Sequence, residues 1–158
     1  MDSDDIAFRI HDILISSGRT VSTAESCTSG QIAALLTSVS GSSSYFQGGI
    51  VAYQNGIKTR FLGVSADDIV RYDVVSRQVA VQMVSGACSL FGTDYAIAST
   101  GYAEGGNGDI PSGTIWIACG TATDIRALCL TEDTGRNENT RRAASAALRM
   151  FLEYLEKD

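Results

Sequence analysis

A chain of 158 residues, 44% hydrophobic and 19% charged, has the size and make-up of one globular domain, and can bury about 70% of its unfolded surface in a single core. Its formal net charge of −6 argues against a role on nucleic acid or at an anionic membrane surface, whose phosphates would repel it. No apolar run approaches the roughly 20 residues that span a bilayer, and MDSDDIAFRI is too acidic for a signal peptide, so a cytoplasmic protein without a membrane partner is expected.

In chain order, Ser3 is placed to cap a helix running to about Ser17, with Ile6, Ile10, Ile13 and Leu14 on one face and Gly18 at its end. Thr20 to Ala24 reads as a short β-branched strand, and a helix is expected from about Gly30 to Thr37. A polar turn, SGSSSY, leads into a strand from Phe46 to Tyr53, and Asn55 to Phe61 reads as a short helix carrying Lys58. Ser65 with Asp68 suits a capping box, and Ser76 caps a helix through Phe91. Tyr95 to Thr100 is a compact apolar strand, followed by the glycine-rich loop GYAEGGNGDIPSG. Gly113 to Gly120 and Asp124 to Leu130 read as paired strands, and Asn137 to Glu156 as the closing helix. Alternating strands and helices on short connections indicate one α/β domain over residues 1–158, with helices on both faces of a sheet. This pattern fixes neither the strand order nor the strand directions.

Polar clusters fall at the ends of apolar strands: Glu25 to Ser29, Tyr53 to Lys58 and Thr100 to Ser112. Open α/β sheets gather ligands at the carboxyl ends of their strands, so these loops are expected to converge. The first, TAESCTSG at Thr23 to Gly30, admits two readings. Thr28 or Ser29 caps the next helix, or a serine sits in the positive potential of that helix end as a nucleophile.

A serine nucleophile needs a proton acceptor, and two scarcities narrow the choice. The one histidine, His11, belongs to the first helix, so a histidine-based triad rests on it or does not exist. Ten arginines carry most of the positive charge; the lysines are Lys58 and the tail residue Lys157. Arginine holds its proton near neutrality, whereas a desolvated lysine can release it, which makes Ser plus Lys58 one arrangement open to this composition. Four cysteines without a C-x-x-C pair read as reduced thiols rather than as disulfides or a metal site.

The segments TAESCTSG, GSSSYFQGGIVAYQNGIK, STGYAEGG and SGTIWIA resemble, in the same order and spacing, the motifs of the CinA C-terminal domain family, also called nicotinamide mononucleotide deamidase. The likeness runs from about Thr20 to Leu148. It implies a three-layer α/β/α sandwich with a mixed, mostly parallel five-stranded sheet. It also implies an amidohydrolase that converts nicotinamide mononucleotide to nicotinate mononucleotide and ammonia, without metal or organic cofactor, as a homodimer. Matched by motif, Ser26 is the implied nucleophile and Lys58 its base, with Tyr53 beside them. Ser43, Thr100, Thr28, Gly30 and Arg141 are the implied substrate ligands. Arg141 is assigned to the phosphate, or Arg142 if the register slips by one.

Three features depart from the family pattern. Glu104-Gly105 stands where the family has Gly-Pro, and with Asp109 it adds carboxylates to a loop expected near a phosphate. Ser29 replaces a glycine of the turn after Ser26. The family often carries this domain behind a larger N-terminal one, whereas a stand-alone domain is expected here. The altered loop leaves two further readings, an amidase for another small amide and a nucleotide-binding or assembly module with little turnover.

Overall fold

The computed structural model, which describes residues 1–157, has six α-helices and five strands. Helix α1 (Ser3–Ser17) is capped by Asp2, whose carboxylate accepts the Asp5 N–H. Ser3, the expected cap, lies in the first turn, because the acid one residue earlier already has the extended backbone a cap requires. Strand β1 (Val21–Glu25) is buried along its whole length, and helix α2 (Gln31–Leu36) follows its turn. After one 3₁₀ turn come β2 (Phe46–Val51), α3 (Asn55–Leu62), α4 (Ala66–Tyr72) and α5 (Arg77–Phe91). Ser65 and Ser76 cap α4 and α5 as the sequence indicates, accepting the N–H groups of Asp68 and Val79. Strands β3 (Tyr95–Gly101), β4 (Ile115–Gly120) and β5 (Ile125–Leu130) precede the long α6 (Arg136–Glu156).

The sheet has the order β2-β1-β3-β4-β5. Strands β2, β1 and β3 run parallel, β4 returns antiparallel to β3, and β5 turns back again antiparallel to β4. The sheet is the mixed one expected: four strands point one way and β4 the other, while the pairings divide evenly between parallel and antiparallel. Short turns between β4 and β5 make a hairpin, which can only be antiparallel.

Side-chain alternation along the strands builds the two outer layers. Val21, Ile97, Ile115, Ile117 and Cys119 face α1, α2 and α6 in one apolar core. Ala24, Ala96, Ala98 and Ala118 face the other way, against Val79, Met83 and Ala87 of α5. Small residues on that face let α5 and α3 approach closely. A Cβ at Gly86 would fall 2.0 Å from the Leu62 carbonyl oxygen. The result is the α/β/α sandwich expected from the sequence. Because β1, β2 and β3 are parallel, their carboxyl ends, and the segments that leave them, share one edge of the sheet. No helix among the described residues is long and apolar enough to cross a membrane.

Candidate active site

The three loops meet. Ser26 follows β1 directly, Tyr53 follows β2 by two residues, and Thr100 is the last residue but one of β3. Together with Cys27, Asn55, Val74, Val75, Tyr102, Glu104 and Arg136 they line a cleft of about 250 Å³. The Ser26 N–H donates to the Ser99 carbonyl at 3.1 Å, which ties the turn to β3 and fixes the serine at the cleft floor.

Lys58 is supplied by α3. It lies one turn into that helix, which starts two residues after Tyr53. The side chain is 1% exposed, and its Nζ stands 3.1 Å from Ser26 Oγ and 3.2 Å from the Tyr53 carbonyl oxygen. Both hydrogen-bond partners are neutral and bring no counter-charge, so desolvation, opposed only by a smaller effect of Cys27, lowers the Lys58 pKa to about 8. About a tenth of such a group is free base at neutral pH. The neighbouring Cys27 thiol is pushed the other way, up to about 11, by burial. It stays a thiol, and a thiolate nucleophile is not available there. His11 sits on α1 with Nδ1 3.1 Å from the Tyr45 hydroxyl, and takes no part in the cleft.

Glu25 is the residue that sequence reasoning passed over. Its carboxylate, 1% exposed, accepts from Thr28 Oγ1 (2.7 Å) and from the N–H groups of Gly30 (3.1 Å), Ile32 (2.9 Å) and Ala33 (3.0 Å). This acid, rather than Thr28 or Ser29, satisfies the free donors at the start of α2. The turn between must curl tightly, and Gly30 and Ser29 both take left-handed conformations, with φ of 95° and 51°. Glycine is at ease there and serine is not, which is the physical content of the departure at Ser29. Glu25→Ala strands three backbone donors, and the expected cost is about 3 kcal/mol of folding stability. Urea unfolding measures it; a loss below about 1 kcal/mol would show that the carboxylate does not hold the turn.

The remaining expected ligands divide. Thr100 is in the cleft wall, its hydroxyl donating to the Val74 carbonyl at 2.8 Å. Thr28 is fully buried between Glu25 and Ser99, and the Gly30 N–H is spent on Glu25, so neither faces a ligand. Ser43 lies in the 3₁₀ turn before β2, at the amino end of a strand whose carboxyl end holds the site. Parallel pairing puts it at the opposite edge of the sheet. Arg141 pairs with Glu138 and lines a separate hollow with Gln31 and Ser145, while Arg142 bonds the Glu132 carbonyl. Both are outside the cleft. The guanidinium in the cleft belongs to Arg136, the first residue of α6, which donates to Glu104 Oε2 at 2.9 Å and to the Tyr53 hydroxyl at 3.0 Å. Asn139, one turn further on and 2% exposed, fixes the facing loop by donating to the Ala103 carbonyl at 2.9 Å.

Comparison with known proteins agrees with this architecture. The family model described as "CinA C-terminal domain" matches residues 3–155. A CinA-like protein of Cytophaga hutchinsonii is 37% identical over 158 residues, covering 99% of this chain and 38% of that relative. A putative competence-damage inducible protein of Desulforudis audaxviator is 46% identical over 117 residues, 73% of this chain and 28% of its own length. The chain thus spans well under half the length of these curated relatives. Among solved structures, the competence/damage inducible protein CihA from Agrobacterium tumefaciens superposes with a TM-score of 0.92 at 35% identity, covering 99% of this chain and 96% of that one. The competence damage-inducible protein A from Klebsiella pneumoniae gives a TM-score of 0.94 at 29% identity, covering 99% and 98%.

Proposed function

The chain belongs to the CinA C-terminal domain family, and from that premise we propose that it is an amidohydrolase converting nicotinamide mononucleotide to nicotinate mononucleotide and ammonia. One observation carries the reading: a buried lysine with neutral partners, its Nζ 3.1 Å from a serine hydroxyl on the floor of a cleft. That arrangement supplies a base and a nucleophile without histidine or metal.

In the proposed sequence, neutral Lys58 takes the Ser26 proton as Oγ attacks the carboxamide carbon. The backbone N–H of Cys27, the cleft-lining residue next to the nucleophile, is assigned to the developing oxyanion. The tetrahedral intermediate collapses as Lys58 returns the proton to the departing nitrogen, which leaves as ammonia. Water, deprotonated by the same lysine, then hydrolyses the Ser26 ester to the carboxylate and restores the hydroxyl. Tyr53 and Arg136 hold the substrate at the cleft mouth. A homodimer in the cytoplasm belongs to the same proposal.

Ammonia release from nicotinamide mononucleotide is the test, run beside simple amides. Saturable binding without ammonia would replace the reading with a binding module. The pH dependence adds a second check. A base must be unprotonated, so the rate is expected to climb with pH and level off above about 8, falling to about a hundredth of the plateau near pH 6. A flat profile across this range would remove Lys58 from the role of base.

A further inference from the structure

Arg136 is the only guanidinium lining the cleft among the described residues, and both ends of its fork are occupied. A phosphate monoester reaching the cleft mouth needs that fork, which matches its oxygens two by two. Here one end is held by the Glu104 carboxylate and the other by the Tyr53 hydroxyl. The loop that carries Glu104 is itself fastened. The Tyr102 hydroxyl donates to Asp73 at 2.7 Å, Asn107 donates to the other Asp73 oxygen at 2.8 Å, and buried Asn139 holds the Ala103 carbonyl. The carboxylate is thus presented to Arg136 by its backbone, although its side chain is 64% exposed. A dianion must displace it and then sit beside it. A ribose hydroxyl faces no such conflict, since it can donate to the carboxylate and accept from the guanidinium, and a pyridinium cation is drawn by the same negative charge.

We propose that Glu104 is a specificity-determining residue, which through its hold on Arg136 makes the cleft accept an unphosphorylated pyridinium nucleoside carboxamide nearly as well as the phosphorylated one. The inference rests on the amidase reading above and names the substrate class of that site. The pair is exposed to solvent, so its effect is a bias of several-fold rather than a block.

The test compares kcat/KM for nicotinamide mononucleotide and nicotinamide riboside in the wild type, Glu104→Gln, Arg136→Gln and the double variant. In the wild type the two substrates are expected within about ten-fold of each other. Glu104→Gln should raise the preference for the phosphorylated compound about five-fold at about 20 mM salt, and much less at about 0.5 M. In the Arg136→Gln background the same change should move the preference by less than about two-fold. A preference that ignores Glu104→Gln, or that shifts equally without Arg136, overturns the proposal. Calorimetric binding of both compounds to Ser26→Ala, with and without Glu104→Gln, separates this inference from the amidase reading. Ammonia release with an unmoved preference sinks the inference alone. A shifted binding preference without ammonia from the wild type sinks the amidase reading and keeps the role of Glu104. Neither binding nor turnover sinks both.

Discussion

Ser26→Ala is expected to leave a folded protein that releases no measurable ammonia, with a loss of about ten-thousand-fold or more in kcat. The fold survives because the turn is held by other atoms. The Ser26 N–H keeps its bond to the Ser99 carbonyl, and Glu25 keeps its grip on Thr28, Gly30, Ile32 and Ala33. What disappears is one hydroxyl whose partner is Lys58 Nζ, a change of about 1 kcal/mol in stability. The chemistry has no substitute, since the adjacent Cys27 is kept as a thiol by burial. Steady-state ammonia release, with the thermal midpoint as a control for folding, measures both effects. A variant that keeps more than about a tenth of the wild-type rate would show that Ser26 is not the nucleophile.

The second large effect is at Lys58. Lys58→Arg keeps a cation but cannot release a proton, and a loss of about a hundred- to ten-thousand-fold in rate is expected. Arginine is bulkier and the site is closed, so Lys58→Met, of similar length and without charge, serves as the partner variant. It should be equally inactive and fold well. The two differ from the wild type in stability as well. In the folded protein Lys58 has a pKa of about 8 against 10.5 for the free side chain, so between those values the unfolded chain binds more protons. Stability therefore rises with pH across that window in the wild type, and below it the fold bears the cost of a buried charge. Lys58→Met removes this contribution to the rise, which urea unfolding between about pH 7 and 11 would reveal. A fully active Lys58→Arg protein would leave the lysine a mere electrostatic contact.

Much of this site is legible in the residues. Scarcity pointed to Lys58, because a composition with ten arginines, one histidine and two lysines leaves few ways to make a neutral base. Strand ends pointed to the loops, and parallel β1, β2 and β3 do bring them together. What escaped depends on direction and reach. Ser43 was matched by motif, yet strand polarity alone decides which edge it occupies. Arg136 lies one residue before the helix start expected at Asn137, and the sequence pattern does not say which residue at that end turns toward a cleft. Glu25 reads as the first residue of a polar turn after a strand ending at Ala24, with nothing in the pattern to give it a capping role. A cap is sought next to its helix, whereas this one acts from six residues before Gln31, reaching round a turn that only left-handed residues can make.

That reach changes what the turn can do. A glycine-bearing strand-to-helix turn of small polar residues has the outline of an anion cradle, with free N–H groups aimed at an incoming phosphate. In this protein the cradle is already full, since Glu25 carries the counterion on the chain itself. The partial positive charge of the α2 terminus is neutralised before it reaches the cleft. Ser26 therefore receives no help toward an alkoxide from the helix behind it. The turn works as a rigid mount, its internal charges balanced and indifferent to what is bound, and the task of activating the hydroxyl falls wholly on the amine across from it.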